Sequence, residues 1–479
     1  MSEVEENNQI LKLKLSPSNH RTQYFVCGIL CLGGFLGGIV TGWSSTSIPS
    51  LEISGHFSFN SNDLSWIASI GNLGIALSAI TTGYMIKFGR KTTLLFSALP
   101  YLIGWAALAF PTDIWMLYAG RLLTGLADGK LMIAGSIYLS ESVDPILRGR
   151  LSVVLFLSIR LGILFAYGVG SLLPYNHLSV IPFIVSAIFG ASFIFLPESP
   201  RWLMTKWRVQ EATDTLCWLQ ACDKSSPTLE ILKEIDEIKD AVIRAGNEGH
   251  KQIISTYFTH RALKATLIVC ILMVFREASG GNVFGYFVVQ TFDETGSAFD
   301  SHLSGVIVGV AQMLSILITV YYVDRIGRRV LLIQTFIIMS ISLAILGLFS
   351  QFKTYIEDTT IFSQFSGWIP LILFVIYNAA NSGGPFVLAF TLFSEIVPTN
   401  VIGFVSGISM LLGFITSFVL ARYYEDMNIA LGISSTFWIY AVFCTLGAII
   451  VHLLVPETAL KTLENIHMRD TTTEETAIA

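Results

Sequence analysis

Five charged side chains interrupt long apolar stretches of this sequence and are its best candidates for binding chemistry: Asp128, Lys130, Arg160, Arg276 and Glu277. An ionised group in apolar surroundings is costly unless it has a charged partner, hydrogen bonds or a polar cavity. Two interpretations therefore remain open. The charges either line a polar cavity, where they could bind a solute, or form buried ion pairs, such as Arg160 with Asp128, that join helices.

The composition identifies the surroundings of these charges. Of the 479 residues, 53% are hydrophobic and 13% are charged, whereas soluble domains contain about 25% charged residues. A bilayer core of about 30 Å requires roughly 20 apolar residues per helix. Twelve apolar runs of suitable length occur, at residues 23–44, 64–86, 92–111, 114–139, 151–173, 178–196, 263–289, 303–323, 330–350, 367–394, 402–422 and 434–455. The sequence thus predicts an all-α membrane protein with twelve transmembrane helices, in which Asp128, Arg160 and Arg276 lie near the middle of the bilayer.

The order of these runs divides the chain into two bundles. An N-terminal tail (1–22) precedes six spans at 23–203, and a connection at 204–262 leads to six more spans at 263–458 and a C-terminal tail (459–479). The first 22 residues lack the pattern of a cleavable signal peptide. We expect amphipathic helices in the connection because apolar residues recur there at helical spacing, at Ile231, Ile235, Ile238 and Val242.

Lysine and arginine are concentrated at one end of the predicted bundle. They follow the second, fourth and eighth spans, while the loops at the other end carry Glu52, Asp113, Asp293, Glu294, Asp300, Glu357 and Asp358. Short loops rich in basic residues face the cytosol. We therefore predict a multi-pass protein of the plasma membrane, with both termini and the connection in the cytosol.

Three short motifs occur twice, once in each bundle, where the second, fourth and sixth spans end. The pairs are Gly89-Arg90-Lys91 with Gly327-Arg328-Arg329, Ser140-Glu141 with Ser394-Glu395, and Pro197-Glu198-Ser199 with Pro456-Glu457-Thr458. Parallel six-helix repeats are typical of transporters that rock around a site near the bilayer midplane. Arginine forks can bind carboxylates through two hydrogen bonds, so these motifs could form a latch at the cytosolic end. The alternative is that they are ordinary topogenic charges.

In combination and order, the motifs resemble the sugar-porter branch of the major facilitator superfamily, over about residues 23–466. The motifs are most similar to those of the facilitated trehalose and hexose transporters of insects. The resemblance rests on Gly120-Arg121, Tyr138-Leu-Ser-Glu141, Arg148-Gly149, Pro197-Glu-Ser-Pro-Arg-Trp-Leu203, Asp324-Arg325-Ile-Gly-Arg-Arg329 and Pro456-Glu-Thr458. The resemblance implies the major facilitator fold and facilitative transport of a sugar of the trehalose or hexose class by alternating access. It also implies a gating set: Gly89, Arg90, Lys91, Arg121, Glu141, Arg148, Glu198, Arg201, Asp324, Arg325, Arg328, Arg329, Glu395 and Glu457.

The residues that would contact the substrate depart from the family pattern. Phe156 stands where the family has a cavity glutamine, and Arg276-Glu277 replaces two neutral amides. The predicted substrate-binding set is Phe156, Arg160, Arg276, Glu277, Asn282, Tyr286, Gln312 and Phe390. Because phenylalanine cannot hydrogen-bond a hydroxyl, we expect weak affinity for hexoses. Ser44 follows Gly42-Trp43 where related proton symporters carry an acid, which favours facilitated transport.

No motif of an enzyme, nucleotide site, metal site or nucleic-acid surface is recognisable, so we expect no enzymatic activity, no cofactor, no metal and no nucleic-acid partner. The expected partners are a sugar-like small molecule and the lipid bilayer. Two alternatives stay open. One is a receptor or sensor that kept the fold and lost transport, and the other is a carrier of a charged or more apolar solute.

Overall fold

The structure is a computed structural model that describes residues 20–223, 227–247, 259–357, 367–397 and 402–456. The regular elements within these ranges are all helical. The first half of the bundle consists of α1 (Arg21–Ser54), α2 (Ser61–Met85), α3 (Arg90–Ala109), α4 (Ile114–Ser142), α5 (Pro145–Gly170) and α6 (Tyr175–Phe195). The second half consists of α10 (His260–Ala278), α11 (Gly281–Tyr286), α12 (Val288–Thr295), α13 (Ser301–Ile326), α14 (Arg328–Glu357), α15 (Trp368–Asn381), α16 (Val387–Ile396), α17 (Ile402–Leu431) and α18 (Ile433–Leu454).

Three short helices connect the halves: α7 (Pro200–Thr205), α8 (Val209–Leu219) and α9 (Leu229–Asn247). One face of α9 is apolar, and Ile231 and Ile235 on that face are buried. The apolar face of α9 therefore packs on a neighbouring surface, and its charged face remains in water.

Within the described ranges, eleven helices are long and apolar enough to cross a membrane. The predicted span at 263–289 forms the remaining crossing, but it is not one continuous helix. The chain breaks after Ala278, because Gly280 adopts a left-handed conformation with φ +88°, and again at Phe287. The segment α10–α12 is thus a discontinuous helix, a feature that transporters use to expose backbone and side chains to a central site.

The fourth crossing of each half contains a π-helical turn. The turn covers Leu131–Gly135 in α4 and Ser382–Phe386 between α15 and α16. A π turn rotates the following residues relative to an unbroken α-helix and is frequent at functional sites. The two halves therefore share a local irregularity as well as their helix order.

Helices α1 and α5 are in very close contact because glycines face each other at their crossing. A Cβ on Gly38 would overlap the carbonyl oxygen of Ile159, and one on Gly162 would overlap that of Phe35. Small residues at this spacing allow two membrane helices to approach backbone to backbone. The close approach brings the middle of α5, which carries Arg160, to the centre of the bundle.

The two ends of the bundle differ in charge, and we name them for it. The basic end carries Lys87, Arg90 and Lys91. The acidic end carries Asp63, Asp113 and Asp300, and each of these carboxylates has a capping role. Asp113 accepts from the backbone of Met116 at 3.1 Å, and Asp63 completes a capping box at the start of α2. The acids at this end thus satisfy amide groups that would otherwise lack partners at helix N-termini.

Candidate functional site

Arg160 lies on α5 where the two halves meet, and only 5% of its surface is exposed. Its Nη1 donates to Gln312 Oε1 of α13 at 3.3 Å. The Gln312 amide in turn donates to Asn378 Oδ1 of α15 at 2.9 Å, and Asn378 donates to the carbonyl oxygen of Phe374 at 3.0 Å. A hydrogen-bonded chain therefore runs from an arginine of the first half through two amides of the second.

Three phenylalanine rings lie around Arg160 and the neighbouring Arg276. The guanidinium carbon of Arg160 lies 3.7 Å from the centroid of Phe386, and that of Arg276 lies 5.5 Å from Phe386 and 5.1 Å from Phe390. Phe156 is 5.9 Å from Phe386 and 6.0 Å from Phe390 between centroids. Aromatic faces attract cations, so the rings stabilise both guanidinium groups in the apolar interior.

Arg276 and Glu277 form an ion pair on α10, with Arg276 Nη1 against Glu277 Oε1. Asn282 Nδ2 of α11 donates to the other carboxylate oxygen at 2.7 Å. Glu277 therefore has its charge compensated and both oxygens engaged. The helix break at Gly280 is what allows Asn282 to turn back towards a residue five positions earlier in the chain.

Within the described residues Asp128 does not pair with Arg160, so the pair that the sequence suggested is wrong, although Arg276 and Glu277 do form a buried ion pair. The Asp128 carboxylate lies against Gly37 of α1 and accepts a hydrogen bond from the Tyr101 hydroxyl at 3.4 Å. It belongs to the packing of α1, α3 and α4 inside the first half. Among the described residues no ion pair joins it to Arg160, and Lys130 is a further buried cation on the same helix.

Several donors of the two central arginines lack a hydrogen-bond partner within the described ranges. They are Arg160 Nε, Arg160 Nη2 and Arg276 Nε, all of them buried. Nearly all buried polar atoms in proteins are hydrogen-bonded, so exceptions require an explanation. Unpartnered donors of two arginines that lie over the same phenylalanine ring are suited to hold an acceptor group of a bound solute.

The structure brings most of the predicted substrate-binding residues together. Phe156, Arg160, Arg276, Gln312 and Phe390 surround one centre, and Glu277 with Asn282 adjoins it. Tyr286 lies apart, where its hydroxyl donates to Asn72 Oδ1 of α2 at 2.6 Å.

Two residues of this centre were missing from the predicted set. Asn378 is one of two amides, with Asn381, in a mainly apolar helix, which is a signal the sequence contained. Phe386 follows Gly384-Pro385 and gave no signal of its own, because its position depends on the π turn.

Hydrogen bonds join the two halves on the acidic side of this centre. Arg422 Nη2 donates to Asn62 Oδ1 at 2.7 Å, and Ser65 donates to Glu425 Oε2 at 3.3 Å. Nearer the centre, the Tyr167 hydroxyl donates to the carbonyl oxygen of Gly285 at 2.8 Å. Together with the Tyr286 bond, these contacts close the interface between the halves towards the acidic end.

At the basic end, the charged motif of the first half is paired within that half. Arg90 Nε and Nη2 donate to the two oxygens of Glu141 at 2.9 and 3.0 Å. Glu198 Oε1 accepts from the backbone nitrogens of Arg90 and Lys91 at 2.8 and 2.9 Å, and Ser199 donates to Glu141. We call Arg90, Glu141, Glu198 and Ser199 the first-half latch.

Gly89 is required at this latch for two reasons. Its φ is +133°, and a Cβ at its position would overlap the Glu198 carboxylate. Arg148 and Arg201 are exposed. Arg121 is distant from it, deep between α1 and α2, where it donates to the carbonyl oxygens of Val40 at 2.7 Å and Ile67 at 3.0 Å.

The corresponding motif of the second half lies only in part within the described residues. Arg328 Nε is 3.4 Å from Glu395 Oε1, and Arg329 Nη2 donates to the carbonyl oxygen of His452. Arg325 lies over the ring of Tyr321 at 4.4 Å. The side chain of Asp324 and the whole of Glu457 lie outside the described residues.

Two six-helix halves around a buried polar centre define a membrane transporter of the major facilitator type. The family model described as "Sugar (and other) transporter" matches residues 5–469, and the chain belongs to that family. It is similar to the facilitated trehalose transporter Tret1 of Apis mellifera ligustica, with 29% identity over 97% of this chain and 91% of that protein. Tret1 of Bombyx mori is 29% identical over 94% of this chain and 86% of that protein.

Solved structures show the same fold. The inward open xylose transporter XylE from E. coli superimposes with a TM-score of 0.74 at 22% identity, covering 93% of this chain and 99% of that one. The partially occluded inward open form of XylE gives 0.73 at 20% identity, covering 92% and 99%. The predicted twelve-helix fold with two six-helix halves is therefore confirmed.

Proposed function

We propose that this protein transports a small hydroxylated solute of the sugar class across the plasma membrane by facilitated alternating access. The observation that carries the proposal is the asymmetric closure around the polar centre. On the acidic side, hydrogen bonds join the two halves, through Tyr286 with Asn72 and Arg422 with Asn62. At the basic end, the ion pair of the first-half latch instead joins two helices of the same half. Relatives named as trehalose transporters support a sugar as the solute.

In this proposal the basic end faces the cytosol, as the positive-inside rule indicates. The structure then corresponds to the conformer closed to the outside. Rocking of the halves would break the acidic-side bonds and bring the basic ends together. Asparagine and glutamine near the centre can donate to and accept from neutral hydroxyls, which suits a polyol.

The direct test is uptake of radiolabelled trehalose and glucose into liposomes that contain the purified protein. Saturable uptake that stops at equal internal and external concentrations supports facilitated transport. Binding without uptake would instead support a receptor that kept the fold.

Alternating access can be tested by tethering the acidic end. In the double variant Ser65→Cys with Glu425→Cys, a short reducible thiol crosslinker should hold the halves closed on that side and stop uptake, and reduction should restore it. Each single variant treated with the same reagent is the matched control. Normal uptake in the crosslinked double variant would contradict the mechanism.

A further inference from the structure

The buried charges of the molecule do not balance. In the described ranges the buried charged side chains comprise four cations, Arg121, Lys130, Arg160 and Arg276, and two anions, Asp128 and Glu277. Glu277 is paired with Arg276, and Asp128 is engaged with Tyr101 inside the first half. Arg160 has no carboxylate partner among these residues, although it is the cation nearest to the amides of the centre.

The geometry of Arg160 identifies which edge of its guanidinium group is available. Nη1 is used by Gln312, and the two unpartnered donors are Nε and Nη2. These two nitrogens share one edge of the guanidinium group, and their parallel N–H bonds match the two oxygens of a carboxylate. The same edge binds a carboxylate elsewhere in this chain, where Arg90 Nε and Nη2 hold Glu141 at 2.9 and 3.0 Å.

The surroundings of Arg160 favour an anion over a neutral hydroxyl at this edge. Phe386 covers one face of the guanidinium group at 3.7 Å, which leaves the edge for polar contacts. The guanidinium group of Arg276 lies over the same Phe386 ring, and its Nε has no hydrogen-bond partner within the described ranges. Two cations against a single compensating carboxylate give the centre an excess positive charge, which attracts an anionic group.

We propose that this centre binds a hydroxylated monocarboxylate of the sugar-acid class, with the carboxylate on the Nε/Nη2 edge of Arg160. The amides of Gln312, Asn378 and Asn282 would then contact the hydroxyls. The inference rests on the proposed transport function and narrows its substrate from a neutral sugar to an acidic one.

The test compares D-glucuronate with D-glucose, which differ only in a carboxylate for a hydroxymethyl group. Both binding to the purified full-length protein and uptake into liposomes are measured, so that recognition and transport can be separated. We expect binding and saturable uptake of glucuronate with an affinity higher than that for glucose by about tenfold or more, since buried charge pairs contribute strongly to recognition. Glucuronate methyl ester, which keeps the hydroxyls and loses the charge, should bind like glucose.

Variants at Arg160 identify the residue responsible. Arg160→Gln should remove the preference for glucuronate over glucose, and Arg160→Lys, which keeps the charge but loses the two-donor edge, should weaken glucuronate binding by about tenfold. Arg208→Gln, at an exposed arginine paired with Glu211, is the matched control and should leave the preference unchanged.

The outcomes separate the two proposals. Uptake of glucose in preference to glucuronate by the unmodified protein overturns the acidic substrate and leaves sugar transport intact. Glucuronate binding without uptake supports the site and overturns transport, while a protein that binds neither compound overturns both. Unchanged glucuronate preference in a folded Arg160→Gln protein overturns the assignment to Arg160. If that variant does not fold, the comparison of glucuronate with its methyl ester on the unmodified protein decides.

Discussion

The two halves of the bundle carry the same charged motifs at the basic end but hold them differently. In the first half Arg90 binds both oxygens of Glu141, whose side chain is 7% exposed, and Glu198 binds the backbone of the neighbouring turn. In the second half Arg328 Nε lies 3.4 Å from Glu395 Oε1, and the side chain of Glu395 is 26% exposed. Among the described residues, the carboxylate beside the motif arginine is thus more exposed to solvent in the second half than in the first.

This difference suggests a division of roles between the halves. The six crossings of the first half are continuous helices, whereas the second half contains the discontinuous segment α10–α12 and the more exposed carboxylate of Glu395. Buried paired charges hold one geometry strongly, while exposed pairs contribute little to stability. We infer that the second half undergoes most of the internal rearrangement during transport, and the following predictions test this comparison.

The largest expected effect is that of removing the latch arginine of the first half. Arg90→Ala leaves the buried Glu141 carboxylate without its partner and should lower the initial uptake rate by about tenfold or more. Arg328→Ala should lower it only about two- to threefold, because Glu395 is better hydrated. Rates are measured in liposomes and normalised to reconstituted protein, with Arg208→Ala as the control. Equal losses in the two latch variants would contradict the asymmetry.

The π turns provide a second comparison, with a smaller effect. A Cβ on Gly384 would overlap the hydroxyl of Thr335, whereas one on Gly135 would meet Leu131 at an ordinary 3.4 Å. Gly384→Ala should therefore destabilise the protein by about 1–3 kcal/mol through overpacking. Gly135→Ala should change stability by no more than about 0.5 kcal/mol. Thermal unfolding in detergent measures both, and similar melting temperatures for the two variants would show that the turns are equally tolerant.

The contribution of Glu198 to the first-half latch should be smaller again. Its Oε1 accepts from the backbone nitrogens of Arg90 and Lys91 at the start of α3. Glu198→Gln keeps an acceptor oxygen but removes the negative charge that favours a helix N-terminus, at a cost of about 0.5–1 kcal/mol. The melting temperature should fall slightly and uptake should decrease with it. Glu237→Gln, at an exposed carboxylate in the middle of α9, is the control, and an equal change there would contradict this interpretation.

The smallest effect concerns Glu234 of α9, in the connection between the halves. Burial raises the pKa of Glu234, and the nearby Asp144 raises it further. A carboxyl whose pKa is higher in the folded than in the unfolded state stabilises the fold while protonated, and this contribution is lost as the pH rises through the folded pKa. Glu234→Gln should therefore raise the melting temperature at neutral pH and give no advantage in acid. The opposite pH dependence would contradict this account of Glu234.

The sequence predicted the crossings well because their signal is local. Each span is a run of apolar residues long enough for the bilayer, and the repeated motifs mark where the halves correspond. The break in the seventh crossing escaped prediction, since it depends on the positive φ of Gly280, and hydropathy does not report φ. Helices α1 and α17 also continue past the predicted ends at 44 and 422, because hydrogen bonding persists where apolarity stops.

The sequence predicted only part of the site, because helical spacing is a local signal and helix packing is not. Arg160 and Phe156 are four residues apart, which places them on one helix face, and the structure has both beside Phe386. The suggested Asp128 partner was wrong because the rotation of α4 relative to α5 is set by packing against α1 and α3, which the sequence does not display. Phe386 escaped notice because a π turn changes which residues share a face.

The short helix α11 makes the central site and the acidic-side closure thermodynamically dependent on each other. Its six residues include Asn282, bonded to Glu277, and Tyr286, bonded to Asn72 of the first half. A solute that draws the Asn282 amide away from Glu277 changes the stability of the Tyr286 hydrogen bond, because both residues belong to α11. Coupling between two sites is reciprocal, so loss of the Tyr286 bond changes the affinity for the solute by the factor by which the solute changes the stability of that bond. Asn72→Ala should therefore alter solute affinity although Asn72 lies outside the central site, and an unchanged affinity would show that the two ends of α11 act independently.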